Sequence, residues 1–116
     1  MAYNKYKNKK VKVDGINFAS MKEARRYKEL KLLERGGAIT DLVLQPQFLL
    51  IPTIRREGET LKRISYFADF KYYDCNKKRT VVEDVKSVAT KTKVYQLKKR
   101  LFLLKYGDEY EFLEIM

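Results

Sequence analysis

Hydrophobic residues change their spacing several times along these 116 residues, and each change marks an element. Lys10–Val13 and Ile16–Phe18 flank Asp14-Gly15, a dipeptide that accepts the positive φ angles of a tight hairpin turn. Ser20 then opens a helix to about Arg35. Gly36-Gly37 closes it, because glycine tolerates left-handed backbone past a helix end. Ile39–Leu44 is apolar and short, a brief strand segment. Gln47–Ile51, entered through Pro46, reads as a better strand, and the charged run Arg55–Thr60 predicts a hairpin tip. Ile64–Tyr73 and Thr80–Lys86 are strand-like, and Asp74-Cys75-Asn76-Lys77-Lys78 between them is turn chemistry. Thr90 or Thr92 caps a second helix from about 93 to 106, where Val94, Leu97, Leu101 and Leu104 supply helical spacing. Gly107 ends that helix. Tyr110–Ile115 alternates toward a last strand, with Phe112 as one inward residue. The order is helix, strand, long antiparallel hairpin, helix, strand. That predicts a small α/β (α+β) domain with a mixed sheet and helices packed on it.

Charge adds a partner class. The chain carries 26 Lys+Arg against 15 Asp+Glu, a net charge of +11, which favours a polyanion such as nucleic acid or an acidic membrane face. Residues 1–9 are rich in Lys and Asn and read as a basic flexible arm ahead of a single domain over 10–116. The basic, polar start does not resemble a signal peptide, and no run approaches the length of a membrane span, so a cytoplasmic location is expected.

Residues that are missing narrow the chemistry. There is no histidine, and Cys75 is the single cysteine. An intrachain disulfide, a cysteine-based zinc site and His-dependent catalysis are all excluded. A metal would be held by oxygens, which points to Mg²⁺ or Mn²⁺. A general base would be a carboxylate, a lysine or a metal-bound water.

Three acids and a lysine stand out against that background. A turn centred between Asn76 and Lys77 sets Asp69 opposite Asp84, on one face of the hairpin. Two bare carboxylates there repel, and a divalent cation removes the penalty. Lys86, two residues beyond Asp84, shares its face, whereas alternation turns Glu83 to the other one. Asp69 interrupts the apolar run Tyr66-Phe67-Ala68-Asp69-Phe70, where a carboxylate is costly unless paired or coordinating. Glu23 admits two readings. Ser20-x-x-Glu23 is a capping box, yet Glu23 heads the stripe of Tyr27 and Leu30, which faces the sheet. Asp84 with Lys86 could equally be a plain structural ion pair.

Basic residues cluster on the second helix. Lys91, Lys98 and Lys105 recur every seventh residue, and Lys93, Lys99 and Arg100 widen that face for phosphate contacts. Arg55 and Arg56, with Arg25 and Arg26, add to the same field. Gln45 and Gln96 could hydrogen-bond a phosphate or a carboxylate, although a strand entry and a solvated helix position explain them as well.

The D…(D/E)-x-K pattern on adjacent strands, after a helix with Glu23 and before a basic helix, resembles the PD-(D/E)XK nuclease superfamily over about Val11 to Phe112. Ala68 stands where the superfamily's name has proline. A closer likeness is to small phage-borne proteins with NKY…G…F-x-S-x-x-E-A…Y…L, then LQP, ADF-x-Y and V-E-D-V-K. The resemblance implies a restriction-endonuclease-like core in αβββαβ order and a metal-dependent DNA endonuclease. Glu23, Asp69 and Asp84 would then hold Mg²⁺ or Mn²⁺, with the Val85 carbonyl as a further ligand. Lys86 would orient the attacking water. It also implies a homodimer that cuts branched or recombination-intermediate DNA, as a Holliday junction resolvase does, with no membrane and no small-molecule cofactor. A non-catalytic nucleic-acid-binding module of the same fold is the alternative.

Overall fold

The computed structural model describes residues 10–116, so the basic arm expected over residues 1–9 lies outside it. Strands β1 (Val11–Val13) and β2 (Ile16–Phe18) form the first hairpin, with Asp14 and Gly15 at φ 52° and 76°. Helix α1 (Met21–Arg35) starts where the Glu23 N–H donates to Ser20 Oγ at 3.1 Å and buries Ala24, Tyr27 and Leu30. It stops at Gly36 and Gly37, the latter at φ 80°. Strands β3 (Ile39–Leu44), β4 (Gln47–Ile51), β5 (Ile54–Arg56), β6 (Glu59–Leu61), β7 (Ile64–Phe67), β8 (Phe70–Asp74) and β9 (Arg79–Val85) follow. A 3₁₀ turn over Val88–Thr90 leads to helix α2 (Lys93–Tyr106), capped by Thr92, and then to β10 (Glu111–Ile115).

The central sheet is mixed, in the order β10-β9-β8-β3, with β9 and β10 parallel and the other pairs antiparallel. Phe70 pairs with Glu83 and Asp74 with Arg79, the register that a turn between Asn76 and Lys77 dictates. The short apolar segment after α1 is a full six-residue strand, β3, with an irregularity between Thr40 and Val43 where Asp41 has φ 58°. Arg55–Thr60 is indeed a hairpin tip, the exposed β5–β6 ribbon turning at Gly58.

Two cores lie on opposite faces of the sheet, because β9 is buried on both sides. Val81 packs with Tyr27, Leu30, Ile39, Phe70 and Tyr72 under α1. Val82 packs with Phe48, Tyr66, Tyr95 and Phe102 under α2. Here α2 departs from its aliphatic spacing: it buries Tyr95 and Phe102, while Val94, Leu97 and Leu104 are exposed. The aromatic side chains win that face because Phe102 meets Phe48, Tyr66, Tyr106, Tyr110 and Phe112, with ring centroids 4.9–6.3 Å away.

Ile64–Tyr73 is not one strand. It breaks at Ala68-Asp69 because β7 pairs with β4, whereas β8 pairs with β3 and β9. The backbone hydrogen bonds nevertheless continue across the corner. Ala68 N–H donates to Pro46 O (3.2 Å), Gln45 N–H to Asp69 O (2.9 Å) and Asp69 N–H to Glu83 O (3.0 Å). Gln45, at φ 51°, and Pro46 make the matching corner between β3 and β4.

Candidate functional site

The corner at Asp69 aims its carboxylate at the end of β9. Val85 N–H donates to Asp69 Oδ2 at 2.7 Å. Asp84, 1% exposed, accepts a hydrogen bond from the Tyr66 hydroxyl, and Lys86 Nζ lies 3.0 Å from its other oxygen. Lys86 is also held 4.4 Å from the centroid of the Tyr95 ring, a cation–π contact. Asp69 is thus a bend residue beside the strand, not a member of it, and still meets Asp84. The Asp84 carboxylate acts on Asp69 strongly enough to raise it.

Burial, and then the Asp84 carboxylate beside it, push Asp69 up to about 7, against the stabilising Val85 N–H. Glu23 is raised for the same two reasons, burial first and Asp84 second, with Lys86 acting the other way. Its backbone N–H makes the Ser20 half of a capping box, and its side chain lines a cavity of about 160 Å³ with Ile16, Asn17, Phe18, Leu44, Gln45 and Asp69. Val85 and Lys86 line a second cavity of about 230 Å³ with Ser20, Lys22, Ser87 and Thr90. The structure therefore joins Asp69, Asp84 and Lys86 and places Glu23 in their field. Among the described residues, no three acidic, histidine or cysteine side chains are grouped closely enough to hold a metal ion. What is seen of Val85 is its N–H, bonded to Asp69, and not the carbonyl suggested as a ligand.

The raised Asp69 pKa has a consequence for stability. Its reference value is 3.8 and its native value about 7. Between them the native state keeps a proton that the unfolded chain has lost, so this group's contribution falls as pH rises from about 4 to about 7 and is level above. Thermal melts of the metal-free protein at about pH 5 and about pH 8 are expected to show a drop that Asp69→Asn removes. A slope unaffected by the substitution would place the titration elsewhere.

Glu83, fully buried, faces the other way, as alternation requires. It accepts from Arg26 Nε (2.8 Å) and Nη2 (2.6 Å) and from the Tyr72 hydroxyl. Arg26 is therefore committed to an internal ion pair and does not add to the surface field. No local pattern flags this pair, because its members are 57 residues apart. Tyr66 and Tyr95, which hold Asp84 and Lys86, carry little local signal either; for Tyr66 it is that the residue precedes Asp69 by three positions in the same apolar run. Lys22, whose Nζ donates to Lys86 O at 3.2 Å, gave no signal.

The basic residues divide. Lys91 and Lys99 pair with Glu114 at 3.3 and 3.1 Å, and Glu114 also accepts from the Tyr95 hydroxyl at 2.6 Å. Burial alone would raise Glu114; the hydrogen bonds from Tyr95, Lys99 and Lys91 outweigh it and take the group to about 2. These two lysines share one internal carboxylate, which offsets one of their two charges. Lys93, Arg100, Arg55 and Arg56 are exposed and Lys98 is half-buried. Gln96 Nε2 donates to Lys91 O at 3.4 Å across the start of α2, whereas Gln45 lines the cavity beside Glu23 and Asp69.

Among known proteins, the family model described as "Protein of unknown function (DUF1064)" matches residues 3–113. No curated protein and no solved structure matches the chain.

Proposed function

We propose that this chain, which belongs to the DUF1064 family, is a metal-dependent DNA endonuclease with a restriction-endonuclease-like core. The observation that carries the reading is the Asp69–Asp84 carboxyl pair at the end of β9 with Lys86 3.0 Å from Asp84. Two carboxyls pressed together under burial, one with its pKa near 7, lack positive charge that a cation would supply. The donor set is oxygen only, which fits Mg²⁺ or Mn²⁺. Asp69 and Asp84 would hold the ion, Glu23 would approach from α1 as the third carboxylate, and the Val85 carbonyl is a further candidate. The chemistry such an ion supplies when bound is polarisation of a phosphoryl oxygen and a water acidified at neutral pH. Lys86, fixed by Asp84 and the Tyr95 ring, would orient that water and offset charge growing on the scissile phosphate. Lys93, Lys98, Arg100 and the Arg55-Arg56 ribbon would contact the sugar–phosphate backbone, consistent with a net charge of +11. No helix of the described residues is long and apolar enough to cross a membrane.

A second reading, a nucleic-acid-binding module without catalysis, is favoured by the commitment of both Asp84 oxygens to Tyr66 and Lys86. Two measurements separate the readings. Calorimetric titration with Mn²⁺ is expected to show binding that Asp84→Asn abolishes and Glu23→Gln weakens by about tenfold. Incubation with Mg²⁺ or Mn²⁺ and linear, nicked, flapped and four-way DNA is expected to give cuts that disappear with EDTA, with four-way DNA cleaved best if a homodimer places two sites. Retained DNA binding with neither metal binding nor cleavage would establish the second reading.

A further inference from the structure

We infer that the outward face of α2 docks an acidic amphipathic helix of a partner protein. Val94, Leu97 and Leu104 are 65%, 59% and 86% exposed, and Leu101 lies half-buried between them. Their spacing of three, four and three residues is that of the a and d positions of two heptads. The seam is narrow, as a helix–helix contact requires, and lacks the broad apolar face and outward aromatics of a helix that lies in a bilayer surface.

The flanks decide the occupant. Taking Val94 as a and Leu97 as d, the g positions are Lys93 and Arg100 and the e positions are Lys98 and Lys105. All four are cationic, and α2 contains no acidic residue. The e and g residues set partner choice in such pairs. Pairing α2 with a second copy, parallel or antiparallel, would set like charges together at every flanking position. A helix with Glu or Asp at its flanks would instead find an opposite charge at each. Of the two lysines paired with Glu114, Lys91 shares the e register of Lys98 and Lys105 but precedes α2, and Lys99 takes an f position. Four large aliphatic side chains in the middle of the face offer nothing to phosphates, so DNA held by Lys93, Lys98 and Arg100 would leave the seam uncovered, and DNA and the acidic helix would compete for these cations.

The probe is a fluorescent three-heptad peptide with Leu at a and d and Glu at e and g, beside a version with Lys at e and g. Anisotropy titration against the full chain is expected to show the acidic peptide binding at least about tenfold more tightly. Leu97→Ser with Leu104→Ser, both at exposed positions, is expected to weaken it by at least about tenfold with the circular dichroism melt unchanged. Equal affinity for both peptides, or no binding of the acidic one, overturns the inference. So does any of three effects of the double variant: loss of a wild-type dimer in sedimentation, loss of binding to phosphatidylserine vesicles, or loss of duplex DNA affinity. Those outcomes would make the occupant a second copy, a membrane or DNA.

Discussion

Asp69→Asn is expected to lower Mg²⁺-dependent cleavage by on the order of 10²–10³-fold or more while leaving DNA affinity within about twofold. The substitution keeps the size of the side chain and an oxygen able to accept from Val85 N–H, which holds the corner between β7 and β8. It removes one charge, and that charge is the one in contact with the rest of the site: Asp84 directly, and Glu23 through its field. On the proposed reading, DNA affinity would rest on the surface cations of α2 and the β5–β6 ribbon, so the substitution would leave it unchanged or raise it slightly as an anion is lost. Single-turnover cleavage and a filter-binding isotherm on the same DNA measure the two quantities. Lys86→Ala is the companion variant, with a fall of similar order and Mn²⁺ binding preserved, because Lys86 is placed beside the carboxylates and not among the ligands. Full cleavage by both variants would refute the assignment of the site.

Arg26→Ala is expected to destabilise the fold by about 3–5 kcal/mol, read from urea denaturation. Glu83 is 0% exposed, and its bidentate partner is Arg26 at 2.8 and 2.6 Å. Removing the guanidinium strands a buried carboxylate with only the Tyr72 hydroxyl for company. Replacing the whole network by apolar residues, as in Arg26→Met with Glu83→Leu and Tyr72→Phe, is expected to cost much less than Arg26→Ala alone, because no charge is left unpaired. The pair also ties together the elements of the site. Arg26 lies one turn beyond Glu23 on α1, and the Glu83 backbone carbonyl accepts the Asp69 N–H at 3.0 Å. Loosening it should therefore weaken Mn²⁺ binding beyond what unfolding explains, measured at a temperature where the variant remains folded.

Much of this arrangement follows from neighbours in the chain. Asp14-Gly15, Ser20 and Gly36-Gly37, Thr92 and Gly107 mark turns and helix ends whose chemistry acts within four residues. A turn centred between Asn76 and Lys77 fixes the β8–β9 register by counting, and strand alternation then puts Glu83 on one face and Asp84 with Lys86 on the other. Hairpin geometry is local, so the meeting of Asp69 with Asp84 was legible before any fold was known. The reason that Asp69 meets it from a bend was not.

Tertiary packing decided the remainder, at places where local rules offer two equal choices. In α2 an aliphatic stripe and an aromatic stripe both have helical period; only the bulky cluster around Phe48 and Tyr66 selects Tyr95 and Phe102 for burial and leaves Leu97 and Leu104 outside. Arg26, Lys91 and Lys99 read as surface cations until β9 and β10 bring Glu83 and Glu114 to them. Asp69 leaves the strand because its chain changes partners from β4 to β3 and β9 at that point. Periodicity and caps are short-range properties of the backbone, which a sequence carries explicitly. The choice of face and of ion-pair partner depends on contacts between residues tens of positions apart, whose energies exist only once the sheet has brought them together.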